Sequence, residues 1–284
     1  MGGYRPARRA ALGPYHEGMK TAALQMVSTP DWPSNRDAAA RLIAAAAAAG
    51  AQLVQLPEYF CVLGRRDTDK LALAEEPGQG PIQDFLSATA REHGLWLVGG
   101  TLPVATRSEG LALNRCVAYA PDGHAAAHYD KIHLFAFDKD GESFNEGRTL
   151  IAGTEPVALQ MGPLRVGLSI CYDLRFPELY RALMSPPCDL LCVPSAFTHT
   201  TGQAHWELLL RARAVENQCY VLAAAQGGNH LNGRRTWGHS MIVDPWGEVV
   251  DMLPEGEGMV IADVDLERLA AVRSQLPALR HRRI

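Results

Sequence analysis

Cys171 stands at the end of an apolar run in LSICYDLRFPE, where residues 164–170 read as a strand and residues 176–184 as a helix. A thiol at a strand-to-helix turn is open to a ligand and close to backbone N–H groups and the positive end of a helix dipole. A free cysteine has a pKa of about 8.5, so nucleophilic chemistry at neutral pH needs a base, a cation, or both beside it. A buried core cysteine is the alternative, but polar Tyr172, Asp173 and Arg175 follow immediately. Glu58, in QLPEYF, ends the strand 52–56 after a ladder-breaking proline. Ligands of α/β folds gather where strands end, so this carboxylate faces either a pocket or plain solvent. Lys131, in YDKIHLF, follows the hairpin 114–120/124–130, whose turn is Pro121-Asp122-Gly123. Amid Ile132, Leu134 and Phe135 it is either a snorkelling edge residue or a functional cation. Together the three supply a proton carrier, an electrophilic clamp and a nucleophile, the parts of acyl transfer through a thioester.

The elements that must position these groups alternate along the chain. Strand 21–26 leads to an alanine-rich helix capped at Ser34 and stopped by Gly50; helix 82–93 is closed by Gly94 and followed by strand 95–101. In the second half, strand 190–194 precedes helix 205–217, with Leu208, Leu209, Ala212 and Val215 on one face. Strands 220–225, 239–243, 248–253 and 259–264 follow, then a last helix over 266–276. The Asp-Gly and Pro-Trp-Gly turns require antiparallel neighbours, so the expectation is an α/β fold with mixed sheets. No Gly/Ser/Pro linker divides the chain, which reads as a loose extension over 1–18 and a single domain over 19–284.

Composition excludes several classes. With 47% hydrophobic and 20% charged residues, the 284-residue chain is not disordered. A net charge of −4 argues against a nucleic-acid partner, and no apolar run approaches the ~20 residues that span a membrane. Residues 1–18 carry Arg5, Arg8 and Arg9 without an apolar segment, so no secretory signal is expected; six dispersed cysteines without a CxxC pair agree with a reducing, cytoplasmic setting. Ten histidines include no HExxH or comparable spacing, so no metal is expected. A serine hydrolase is disfavoured because Gly238-His239-Ser240-Met241-Ile242 fails the nucleophile-elbow pattern at its last position. A Cys-His hydrolase using His199 or His205, and a non-catalytic binding protein, remain as alternatives.

QLPEYF, YDKIHLF and GLSICYDLRFPELYR, in that order, resemble the nitrilase superfamily of carbon–nitrogen hydrolases, and the likeness extends from about Thr21 through AHWELLLRARAVENQCYV and GHSMIVDPWGE. The resemblance implies an α-β-β-α sandwich with two mixed sheets, commonly paired into homodimers. It makes Cys171 the nucleophile, Glu58 the general base and Lys131 the cation. Glu146, in SFNEGRT, becomes the glutamate that positions the lysine; in the mechanism these parts suggest, the N–H of Tyr172 joins Lys131 in binding the oxyanion. It implies a small-molecule amide substrate and no cofactor. Within the superfamily, the sequence looks most like the branch that hydrolyses deaminated glutathione, with ω-amidases acting on α-ketoglutaramate as the runner-up. Candidate substrate contacts are Tyr59, Arg175, Phe197, Thr198 and Thr201; Arg175 either meets a substrate carboxylate or pairs locally with Glu178.

Overall fold

A computed structural model describes residues 18–139 and 142–283. Apart from Gly18, the expected extension lies outside the described residues. The first half runs β1 (Met19–Gln25), α1 (Trp32–Ala48), β2 (Leu53–Gln55), α2 (Pro81–His93), β3 (Trp96–Val98), β4 (Leu102–Ala105), β5 (Ala112–Tyr119), β6 (Ala125–Asp130), β7 (Ala136–Lys139), β8 (Glu142–Asn145) and β9 (Leu150–Ile151). The second half runs β10 (Val157–Met161), β11 (Leu164–Leu168), α3 (Pro177–Ala182), β12 (Leu190–Cys192), α4 (His199–Asn217), β13 (Tyr220–Ala223), β14 (Ser240–Val243), β15 (Val249–Leu253), β16 (Gly258–Val264), α5 (Leu266–Gln275) and α6 (Ala278–His281).

One sheet has the order β16-β1-β2-β3-β5-β4, with β6 and β9 also on β5; the other has the order β10-β11-β12-β13-β14-β15. Both are mixed: β1, β2 and β3 are parallel, as are β11, β12 and β13, and antiparallel strands flank each group. The period-2 side-chain pattern of the first sheet explains the layering. Ala23, Leu53, Val98, Cys116 and Ala118 face the second sheet's Leu164, Val166 and Leu168. Their sequence neighbours Ala22, Leu24, Val54, Leu97, Val117 and Tyr119 face Ala39, Ile43, Ile82 and Leu86 of α1 and α2. With α3 and α4 packed together and α4 against β13 and β14, the layers run helix, sheet, sheet, helix, as expected.

Three local expectations need correction. The cap of α1 is Asp31, whose carboxylate accepts from Ser34 N–H at 2.9 Å, so Ser34 lies inside the first turn. The expected strand 95–101 stops at Val98 because Gly100 turns the chain at φ +57°, and pairing resumes at β4. Helix α4 starts six residues earlier than expected and turns a different face inward. Trp206, Leu210 and Ala214 are buried, whereas Leu208 and Val215 are exposed, at 68% and 48%. Periodicity missed this because a polar residue shares the inner face: Arg213 is buried and donates from Nη2 to Leu174 O at 2.7 Å.

Candidate active site

Each candidate catalytic group lies just past the C-terminal end of a strand. Glu58 follows β2 by three residues, Lys131 follows β6 directly, and Cys171 follows β11 by three. The first two strands belong to one sheet and the third to the other, so the site sits on the seam between them.

Lys131 Nζ lies 2.8 Å from Glu58 Oε1 and 2.9 and 2.8 Å from the two oxygens of Glu146. Lys131 and Glu58 are each 1% exposed, so their charges have lost water and depend on one another. Further donors complete the set: Asn114 Nδ2 to Glu58 Oε1 at 3.0 Å, the Tyr59 hydroxyl to Glu146 Oε1 at 2.7 Å, and Phe135 N–H to Glu146 Oε2 at 2.7 Å.

This geometry sets the proton affinities. Burial raises the Glu58 carboxyl above its ordinary range, the Lys131 charge opposes that rise, and Glu146 adds to it. Burial disfavours the charged Lys131, but the carboxylates of Glu146 and Glu58 outweigh it and hold the ammonium well above its usual pKa. Burial also disfavours the Glu146 anion, yet Lys131 and the donors from Phe135 and Tyr59 keep it low. Burial, then the neighbouring Glu58 charge, push the Cys171 thiol well up against the pull of Lys131. These surroundings favour the protonated Cys171 thiol, and the Glu58 carboxyl that interacts with it is within reach of that proton.

Cys171 is held at φ +49°, a left-handed conformation that costs a non-glycine residue about 1–3 kcal/mol and persists only when its surroundings enforce it. Its N–H donates to Pro194 O at 3.0 Å and Asp173 N–H to Ile170 O at 3.0 Å. Between them, the N–H of Tyr172 meets no acceptor among the described residues, so it can bind an oxygen of a ligand. Fully buried Asp173 fixes the turn: its carboxylate accepts from Tyr129 hydroxyl at 2.7 Å, Ile170 N–H at 2.9 Å and His133 N–H at 3.1 Å, and meets His133 Nδ1 at 2.7 Å. The Glu58 loop is pinned in turn. Tyr59 sits at φ +56°, its N–H bound by Thr101 Oγ1 at 2.9 Å, and Gly100 passes so close that a Cβ there would fall 2.2 Å from Pro57 O.

The groups open into a cavity of about 470 Å³, within the ~300–1,000 Å³ range of small-molecule sites. Tyr59, Tyr172, Arg175, Phe197, Thr198 and Thr201 all line it. Arg175 makes no ion pair with Glu178: it meets His205 Nδ1 at 3.2 Å and lies over the rings of Phe197 and Tyr172, at 5.3 and 6.0 Å. Thr198 caps α4, accepting from Thr201 N–H at 3.2 Å, so part of its capacity is spent locally. Neither His199 nor His205 lines the cavity; His199 packs edge-on against Trp237. Sequence reasoning missed Asn114, His133, Asp173, Lys70 and Arg234. Of these, only Asp173, a polar residue two positions past the thiol, carries a local signal in the sequence.

Comparison with known proteins agrees with this architecture. Residues 20–274 match the family profile "Carbon-nitrogen hydrolase". A deaminated glutathione amidase of Synechocystis sp. (strain PCC 6803) is 44% identical over 265 residues, 92% of this chain and 97% of that protein. The omega-amidase NIT2 of Xenopus tropicalis is 40% identical over 265 residues, 93% of this chain and 95% of that one. Saccharomyces cerevisiae Nit3, a solved structure of the nitrilase superfamily, superposes with a TM-score of 0.84 at 32% identity, covering 94% of this chain and 97% of its own. The chain belongs to the carbon–nitrogen hydrolase family.

Proposed function

We propose that the protein hydrolyses deaminated glutathione, the amide of an α-keto dicarboxylic acid with cysteinylglycine, through a cysteine thioester. The observation that carries this reading is the Lys131 ammonium gripped by Glu58 and Glu146 beside a thiol at a forced left-handed turn. Residues 19–284 act as one domain. Sulfur of Cys171 attacks the amide carbonyl while its proton passes to Glu58, and Lys131 with the N–H of Tyr172 stabilises the oxyanion. The C–N bond breaks as Glu58 returns the proton to the departing amine. Water then gives a proton to Glu58 and its oxygen to the thioester carbonyl; the C–S bond breaks and the thiol is restored. Arg175, lying in the cavity without a carboxylate partner, holds the acyl carboxylate, with Phe197, Thr198, Thr201 and Tyr59 shaping the space around it. Glu146 holds the lysine in place.

The second reading, an ω-amidase acting on α-ketoglutaramate, shares the acyl portion and differs only in releasing ammonia. Ammonia or amine release from the two substrates, followed with intact-mass detection of an acyl adduct, tests both. A slow substrate should leave a mass increment on the native protein and none on Cys171→Ala. Turnover with no adduct trapped under any quench would reject covalent catalysis.

The protein acts as a homodimer in this reading. Support comes from exposed Leu208 and Val215 on α4 with exposed Trp246, an apolar set that water leaves unsatisfied. Light scattering behind gel filtration should give twice the chain mass of 30.9 kDa. A cytoplasmic setting is supported by six buried cysteines, all in the free form.

A further inference from the structure

The cavity wall carries a cation that the chemistry above does not use. Lys70 is only 9% exposed and lines the cavity, yet among the described residues its ammonium forms no ion pair and no hydrogen bond. It lies over the ring of Tyr59, 5.3 Å from the centroid. A buried ammonium whose donors meet no acceptor costs free energy, and a ligand oxygen in the cavity would offset that cost. On the same wall, Arg234 lies over the Phe144 ring at 4.5 Å and 3.8 Å from Asp67 Oδ1. Glu146 and Asp67 act on the Lys70 charge through space without touching it, so its donors stay open to a ligand in the cavity.

Position relative to the reacting atoms gives the cation its role. Tyr59, beneath Lys70, follows Glu58 in sequence and donates to Glu146, so Lys70 lies on the wall that carries Glu58 and Glu146. Arg175 stands on another wall, over Tyr172 and Phe197 and against His205 of α4. Glu58 returns its proton to the departing nitrogen, so the amine portion of the substrate lies on the Glu58 side and the acyl portion extends toward Arg175. We propose that Lys70, assisted by Arg234, receives a carboxylate carried on the amine portion of the substrate, so that the site selects amides whose leaving group is itself an anion. The proposal rests on the amidase reading above and adds a specificity site to it.

Three probes sharing one α-keto dicarboxylic acyl group test it: the primary amide, the amide of cysteinylglycine, and that same dipeptide amide with its terminal carboxyl capped as a carboxamide. The native enzyme should favour the free-acid dipeptide over the capped one by about tenfold or more in kcat/KM, the scale of one charge-assisted hydrogen bond. In Lys70→Met the preference should collapse toward unity through a rise in KM for the free acid, and in Arg234→Gln it should shrink. Thermal melts establish that each variant is folded. Because Arg234 is more exposed than Lys70, its variant keeps the test available if Lys70→Met does not fold. Discrimination undiminished from the native level in either folded variant would overturn the proposal. So would a loss of equal size on all three probes, which would mean that Lys70 acts through Glu146 rather than on a ligand. Turnover without any preference in the native enzyme sinks the anion site and leaves the amidase reading standing. Turnover of none of the probes sinks both.

Discussion

The Tyr129 hydroxyl donates to the Asp173 carboxylate at 2.7 Å, and this contact joins the strand that ends at Lys131 to the turn that carries Cys171. His133, two residues past Lys131, meets the same carboxylate through both its backbone and its ring. Lys131 and Cys171 are thus both referenced to one buried anion. Replacing it as Asp173→Asn keeps the shape but removes the charge and turns one acceptor into a donor. The variant should lose about 1–3 kcal/mol of stability, the scale of hydrogen bonds to a charged group. It should also lose about 10–10²-fold in kcat. Urea titration and steady-state kinetics on the same preparation check both.

Glu58→Gln separates two roles of one carboxylate. Removing the base should abolish acylation. Removing its charge should also lower the Cys171 pKa, because Glu58 raises it while Lys131 pulls the other way. Iodoacetamide should therefore label Cys171 faster in the variant at pH 7.5, although turnover is lost. Slower labelling would contradict this charge balance.

The pH profile should be limited on its acid side by Glu58. In the proposed mechanism the free carboxylate is the active form, and its pKa is raised in the fold, chiefly by burial. Acylation should fall as pH drops through a value above the ordinary glutamate range of about 4.3. Stopped-flow acylation from pH 4 to 8 reads the midpoint directly.

Glu146→Gln acts on the other side of the profile. Glu146 is the foremost charge holding up the Lys131 pKa, so losing it lowers that pKa. In the proposed mechanism the protonated lysine is the active form, so activity should fail at lower pH in the variant than in the native enzyme as alkali is added. At neutral pH the loss should be about 10²-fold, comparable to removing an oxyanion donor. Basic-limb titration of kcat/KM, compared between the two proteins, measures the shift.

Gly100→Ala tests the backbone beneath Glu58. The new Cβ would fall 2.2 Å from Pro57 O, at a φ of +57° that side chains rarely adopt. A loss of about 1–3 kcal/mol is expected from the backbone conformation alone, and a chain of this length should melt several degrees lower. Differential scanning calorimetry supplies the melting temperature, and the kcat measured well below it reports displacement of the glutamate.

Much of this was legible beforehand. Strand ends preceding Glu58, Lys131 and Cys171 follow from short apolar runs broken by proline, by a hairpin and by a polar turn, all local features. The resemblance to a known family supplied Glu146. What stayed hidden depends on long-range packing. Asn114 faces Glu58 across 56 residues because β5 lies in the same sheet as β2. Lys70 sits in a segment whose periodicity is weak, and nothing in the sequence shows that its ammonium is buried. The inner face of α4 was misread because Arg213 spends its charge on a carbonyl, which hydropathy counts as outward-facing.

Base and ammonium come from one β-layer and sulfur from the other, and this division governs how the enzyme would fail. A slip of the layers by one ångström would part the reacting groups while leaving every helix and ladder intact. Catalysis should therefore vanish earlier than ellipticity in heat or denaturant, with assay readings tracking the interleaf joint and spectroscopy tracking the leaves themselves.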